Sequence, residues 1–186
     1  MNRQTGFTLA ELLTVIAIVG ILMGIGVPSY RYVTNSYRMS AEVNGLLGDV
    51  QFARGEAIKE GLPVTLCVSR DAQTCDAGST TFQEGWIVFS DTNGNATVDP
   101  GETVLRVQNA FTGAVPDTFI ADNNVSALTF NREGFVTAAG GFPNLTIRLH
   151  DSTNNAVWTR CLWVNPVGMA TTETPAAANN PSGTCN

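Results

Sequence analysis

The amino-acid sequence predicts an α+β fold: a long N-terminal helix, membrane-spanning in its first half, packs its second half against antiparallel β-sheet. Three observations point there. Phe7–Val27 is apolar apart from Glu11, the stretch after Pro28 repeats apolar residues at three- and four-residue steps, and from Val64 the period drops to two. A long helix followed only by strands implies a sheet laid on the helix's apolar face.

The first element starts behind a polar leader, Met1–Gly6. At about 1.5 Å per residue, Phe7–Val27 extends roughly 30 Å, the thickness of a hydrocarbon core. A secretory signal removed further along fits poorly. The apolar run is longer than an ordinary h-region, lacks an A-x-A-like cleavage site and continues into a further helical pattern. A plain anchor leaves Glu11 unexplained, because insertion of an acidic side chain at a helix centre is disfavoured by about 2.5–3.5 kcal/mol and by less near an interface. Cleavage after Gly6 would make Phe7 a new N-terminus with Glu11 one helical turn away. Its carboxylate could then pair with a terminal amine, its own or a neighbouring subunit's.

Beyond Pro28 the helix becomes amphipathic. Val43, Leu46, Leu47, Val50, Ala53, Ala57 and Ile58 form one face, and Glu42, Asn44, Asp49, Gln51, Glu56 and Lys59 fill the other. Gly61-Leu62-Pro63 stops the pattern. Phe7 to about Glu60 therefore reads as one helix of roughly 80 Å, weakened near Gly24, Gly26 and Pro28, where proline removes an internal hydrogen bond.

The strand candidates are Val64–Ser69, Trp86–Ser90, Val104–Gln108, Ala127–Asn131, Leu145–Leu149 and Val157–Val164, separated by turn-rich segments. Residues 170–186 contain almost no large apolar side chain and read as a flexible tail, tethered if Cys185 is bonded. The domains are then a leader over 1–6, a transmembrane or filament-core helix over 7–29, and a globular domain over 30–186 that is expected to fold alone. The chain has 186 residues and a formal charge of −6, which loss of Arg3 with the leader makes more negative. An acidic surface repels phosphate backbones unless basic residues cluster locally. Cys67, Cys75, Cys161 and Cys185 all follow the membrane segment, an even number that suggests two disulfides in an oxidising compartment. Three pairings are open, and proximity favours Cys67–Cys75 with Cys161–Cys185.

Gly6-Phe7-Thr8-Leu9-Ala10-Glu11-Leu12-Leu13 resembles the class III signal of type IV pilins and pseudopilins. That resemblance implies cleavage between Gly6 and Phe7 by a prepilin peptidase, N-methylation of Phe7, and a docking role in assembly for Glu11. Gly85–Asn95, Asp99-Pro100-Gly101-Glu102, Val104-Leu105-Arg106 and Phe130–Gly134 resemble the GspH/FimT/FimU group of minor pilins and minor pseudopilins. Together these matches cover most of the chain and imply that group's pilin-like fold, an N-terminal helix against two β-sheets.

The most suggestive polar motif is Asp91–Glu102. Asp91, Asn93, Asn95, Asp99 and Glu102 stand at the first, third, fifth, ninth and twelfth places, where an EF-hand loop supplies oxygens. Ala96 replaces the glycine that such a loop needs, and strands, not helices, flank it. A long hairpin turn held by side-chain-to-backbone bonds is the favoured reading, so no metal or other cofactor is expected. His150 has no neighbouring nucleophile, Trp86, Trp158 and Trp163 sit in strand patterns, and no catalytic motif occurs. No enzymatic activity is expected.

The resemblance implies a structural subunit that helps initiate assembly of a type IV pilus and sits at or near its tip. Its partners would be other minor and major pilins, the prepilin peptidase and an inner-membrane assembly platform. It would be a single-pass inner-membrane protein with a periplasmic domain before entering the filament. Two alternatives stand beside this: a minor pseudopilin of a type II secretion system, and a DNA-binding minor pilin for natural transformation. DNA-binding members of the FimT branch carry Gly-Arg-x-Arg after the last strand. The matching stretch, Gly168-Met169-Ala170-Thr171, keeps the glycine and lacks both arginines. No nucleic-acid partner is therefore expected unless folding gathers Arg70, Arg106, Arg132 and Arg148 into a patch.

Overall fold

A computed structural model describes residues 8–112, 117–137 and 144–186. The chain divides into two units, Met1–Arg38 and Met39–Asn186. A single helix, α1 (Leu9–Glu60), contributes to both and stays helical through Gly24, Gly26 and Pro28. It stops where Gly61 donates its N–H back to the Ala57 carbonyl at 3.0 Å, the helix end that Gly61-Leu62-Pro63 predicts.

In the second unit α1 buries Met39, Val43, Leu46, Val50, Ala53 and Ala57, one face at three- and four-residue steps. Ile58, read from sequence as part of that face, is 51% exposed. Two four-stranded antiparallel sheets complete the unit. The first joins β1 (Val64–Val68), β2 (Gly85–Ser90), β3 (Val104–Asn109) and β5 (Ala127–Phe130) in the order β3-β2-β1-β5. The second joins β4 (Thr118–Ala121), β6 (Leu145–His150), β7 (Arg160–Val164) and β8 (Ala170–Glu173) in the order β4-β6-β7-β8. All pairings are antiparallel, with Leu66 opposite both Val88 and Leu128 in the first sheet and Ile147 opposite Leu162 in the second.

One core serves helix and sheets together, with Leu46 and Val50 of α1 meeting Leu66, Val88, Phe119, Ile147 and Leu162. Trp86, Phe111 and Phe119 lie with ring centroids 6.0–6.3 Å apart and tie the sheets to one another. A smaller cluster, Cys67, Ile87 and Phe89, fills the outer face of the first sheet, where Ala72, Cys75 and Val98 cover it. β1 and β2 are thus covered on both faces.

Three further expectations differ from the structure. Thr118–Ala121 forms a strand outside the candidates, alternating exposed and buried residues over only two periods. The Val157–Val164 candidate is a strand only from Arg160. Val157 and Trp158 belong to a turn in which the Trp158 N–H reaches the Asn155 carbonyl at 3.0 Å. Most consequentially, residues 170–186 are not a loose tail. Ala170–Glu173 pairs with β7 from Val164 opposite Ala170 to Cys161 opposite Glu173, Ala177–Asn179 makes a short 3₁₀ turn, and Cys185 is buried. Main-chain hydrogen bonds and a cross-link order this segment, and neither requires the apolar side chains that it lacks.

Candidate functional site

Gly6 and Phe7 lie outside the described residues. Thr8 is the first described residue, and its Oγ1 accepts the Glu11 N–H at 3.3 Å, three residues on. Threonine before the helix with glutamate three places later is the spacing of a capping box. The Thr14 hydroxyl donates to the Glu11 carbonyl at 2.9 Å. Glu11 thus stands in the first turn, at the positive end of the helix dipole. Around it and beyond, from Leu9 at 77% exposure to Val27, every apolar side chain is exposed. So large an apolar surface on one helix is stable only against lipid or other helices. Within either, the one carboxylate of this stretch must find a cation.

The four cysteines form two bridges, Cys67–Cys75 with S–S 2.07 Å and Cys161–Cys185 with S–S 2.04 Å. The first pins the loop after β1 onto the outer face of the first sheet. In that loop Asp71 accepts the Thr74 hydroxyl at 2.7 Å and the N–H groups of Thr74 and Gln73 at 2.8 and 2.9 Å, which hold its carboxyl well below the usual range. The second bridge pins the C-terminal segment to the second sheet. There Thr184 meets the Thr146 hydroxyl, the Arg148 Nε donates to the Thr184 carbonyl at 3.1 Å, and the Ser182 hydroxyl donates to the buried Glu173.

In the Asp91–Glu102 loop the oxygens face the loop's own donors and the Thr65 hydroxyl of β1. Asp91 is fully buried. Its Oδ2 accepts the Thr65 hydroxyl at 2.6 Å and the Ala96 N–H at 2.9 Å, and its Oδ1 accepts the Asn95 N–H at 3.0 Å. Asn93 and Asn95 both donate to Asp99 Oδ2, at 2.8 and 2.9 Å. Glu102 accepts the N–H groups of Thr92 and Asp99 at 2.8 and 3.0 Å. An EF-hand would turn these oxygens toward one centre. Among the described residues, no three His, Cys, Asp or Glu side chains are placed to hold a metal ion. The His150 ring lies 3.1 Å from the Thr159 hydroxyl, and burial, with Arg148 second, lowers its pKa.

The cations are dispersed and paired. Arg70 contacts Glu84 at 2.8 Å and Asp76 at 2.9 Å, Arg106 contacts Asp49 at 2.9 Å, Arg132 contacts Glu133 at 2.7 Å, and Arg148 contacts Asp122. Folding therefore gives each of these four arginines a carboxylate instead of gathering them.

Two residues absent from the sequence reading of the site organise it. Asp49 of α1 accepts the Trp86 indole N–H at 2.9 Å and the Arg106 guanidinium, which also lies 3.8 Å over the Phe52 ring. Arg54 of α1 donates from Nε to the Gly134 carbonyl at 3.0 Å and from Nη2 to the Val167 carbonyl at 3.2 Å. It thereby clamps the turn after β5 to the turn between β7 and β8. Neither role shows in local spacing, because their partners lie far along the chain and a charged residue on the polar side of an amphipathic helix looks like solvent surface.

Comparison with known proteins gives a consistent set of likenesses. A family model described as "Type II transport protein GspH" matches residues 42–168, and a "Prokaryotic N-terminal methylation motif" matches residues 1–27. A type IV major alpha-pilin of Moraxella bovis is 30% identical over 163 residues, 86% of each chain. A type II secretion system protein H of Pseudomonas aeruginosa is 32% identical over 72 residues, 39% of this chain and 42% of that one. The chain spans only about half the length of two other fimbrial relatives, from Moraxella nonliquefaciens and Moraxella bovis. A crystal structure of the type IV minor pilin FimU of Pseudomonas aeruginosa matches with a TM-score of 0.57 at 17% identity, over 76% of this chain and 92% of that chain, a likeness of fold.

Proposed function

This chain belongs to the GspH family, with the pilin-like α+β fold, and on that premise we propose that it is a minor pilin that helps initiate assembly of a type IV pilus and sits at or near its tip. Family and fold make it a minor subunit of either a type IV pilus or a type II secretion pseudopilus, assembling with other pilins. The observation that carries the assembly role is the exposed apolar helix with Glu11 at its capped start. A prepilin peptidase would cut between Gly6 and Phe7 and leave the chain anchored in the inner membrane with its globular unit in the periplasm. The helix would then pass from lipid into the filament core, where Glu11 accepts the amine of a neighbouring Phe7. The 86% reach of the alignment to a major pilin supports the pilus reading, and the match of residues 42–168 to the GspH model keeps the pseudopilus beside it.

The test is complementation of a chromosomal deletion in the native cell. Loss of surface pili, restored by the wild-type gene, is the expected result. Intact piliation with loss of a secreted enzyme would instead favour the pseudopilus. Glu11→Ala is expected to leave leader removal intact and cut incorporation into sheared filaments at least tenfold, and normal incorporation would sink the pairing argument. Gly6→Val is expected to keep its leader on an immunoblot.

A further inference from the structure

One face of the first unit carries a shallow groove lined by Val19, Leu22, Met23, Gly26, Tyr30 and Arg31. Val19, Leu22, Met23, Gly26 and Tyr30 recur at three- and four-residue steps and share one side of α1, and Arg31 borders the groove from the flanking row, four residues beyond Val27. Gly26 carries no side chain and has open space where a Cβ would point, which leaves a notch midway along an otherwise aliphatic wall. Arg31 and Tyr30 close the groove at its C-terminal end, and Tyr30 and Tyr32 are 73% and 52% exposed.

The axial distances match a bilayer. Leu9–Val27 extends roughly 28 Å along α1, and Arg31 lies about 6 Å beyond Val27. A hydrocarbon core of about 30 Å within a bilayer of about 40–45 Å places Arg31 in the headgroup layer. Tyrosines at that depth are interfacial anchors. A cation at the polar end of an apolar groove complements one kind of occupant, a chain with a negative head. We propose that this groove holds one acyl chain of an anionic phospholipid, with the lipid phosphate against the Arg31 guanidinium, while the subunit waits in the membrane. The guanidinium fork suits a phosphate, and the Gly26 notch admits the acyl chain close to the helix.

The proposal rests on the membrane-anchored reading of α1. Resistance of the membrane-bound chain to carbonate extraction checks that reading separately, so failure to insert and failure to select a lipid are distinguishable. The decisive experiment places the full chain in nanodiscs of equal phosphatidylcholine and phosphatidylglycerol and counts the lipids it retains on release into a mass spectrometer. About fivefold preference for phosphatidylglycerol is expected, the factor one basic residue provides at an anionic surface. Arg31→Gln should bring the ratio near one, and Gly26→Leu should lower the total lipid retained with Arg31 still in place. Equal retention of the two lipids by the wild type, or an unchanged ratio in Arg31→Gln, overturns the proposal. Retention unaffected by Gly26→Leu overturns the acyl site. High-yield cross-linking of Gly26→Cys between two copies would assign the groove to a second helix, and loss of the preference on adding inorganic phosphate would assign Arg31 to the free anion.

Discussion

Gly168 illustrates how one residue can resemble a binding motif and serve packing. It keeps the glycine of the Gly-Arg-x-Arg stretch that DNA-binding relatives are expected to carry, yet its surroundings explain it without a ligand. Its φ is +77°, and a Cβ there would lie 2.1 Å from the Gly134 carbonyl oxygen and 2.9 Å from Arg54 Nε. Gly134, with φ +81°, is confined less severely, a Cβ there lying 2.8 Å from the end of the Ile58 side chain and 3.0 Å from Arg54 Nε. The two glycines let the β5 and β7–β8 turns approach closely enough for Arg54 to bond a carbonyl from each. Gly168→Ala must therefore push the turns apart and break the clamp, in addition to the left-handed backbone cost. A loss of about 2–4 kcal/mol is expected. Urea unfolding of the globular unit measures it, and a variant within 0.5 kcal/mol of wild type, roughly the scatter of neutral surface changes, would mean that the turns relax freely.

At the scale of elements, the helix was legible because its apolar residues recur with a period tied to burial, and the strands because short apolar runs stand between turn residues. The amphipathic face from Val43 to Ala57 follows the first rule and ends at Gly61, and the five strand candidates other than Val157–Val164 follow the second, although β1 and β2 are buried almost throughout and β3 is almost wholly exposed. β4 alternates in burial over four residues only, and β8 has no apolar run. Ala170-Thr171-Thr172-Glu173 is held by main-chain pairing to β7 and by the Cys161–Cys185 bridge, and neither writes an apolar period into the sequence. The Asp49 and Arg54 contacts were illegible for a related reason, since long-range polar partners leave no local pattern. If the bridge orders the C-terminal segment, its loss should cost more than loss of Cys67–Cys75, because it closes a loop of 24 residues against 8. Replacing Cys161 and Cys185 by alanine is expected to cost about 3 kcal/mol, and the shorter loop somewhat less. The C-terminal segment should also become open to proteolysis. The opposite order of stabilities, or an uncut C-terminus in the Cys161→Ala, Cys185→Ala variant, would mean that the strand pairing holds the segment unaided. The Asp91–Glu102 loop makes a contrasting element. Its carboxylates already accept the loop's own N–H groups, so millimolar calcium should leave the melting temperature unchanged, and a rise of several degrees would require the loop to reopen around an ion.

For the whole molecule, the question is whether folding assembles a surface for polyanions from an acidic chain. The seven Lys and Arg residues of Met39–Asn186 give the answer by their partners. Lys59 pairs with Glu56 and Glu60, while Arg70, Arg106, Arg132 and Arg148 each contact at least one carboxylate. Arg54 and Arg160 donate to main-chain carbonyls, Arg160 to those of Val157 and Thr159. A phosphate approaching any of the five paired cations meets the carboxylate as well, so little counterion release remains to drive binding. No Lys or Arg follows Arg160, so the segment that ends the chain adds no cation to compensate. The globular unit is therefore expected to show no micromolar affinity for duplex DNA at about 0.1 M salt, and no salt-dependent shift in a mobility assay. Binding that weakens steeply as salt rises would demand several phosphate contacts, and it would restore the DNA-uptake reading over the assembly subunit. Charge reversal makes the same test from the other side. If acidity is what excludes DNA, Asp122→Lys and Glu133→Lys together should free Arg148 and Arg132 and bring detectable low-salt binding without loss of fold.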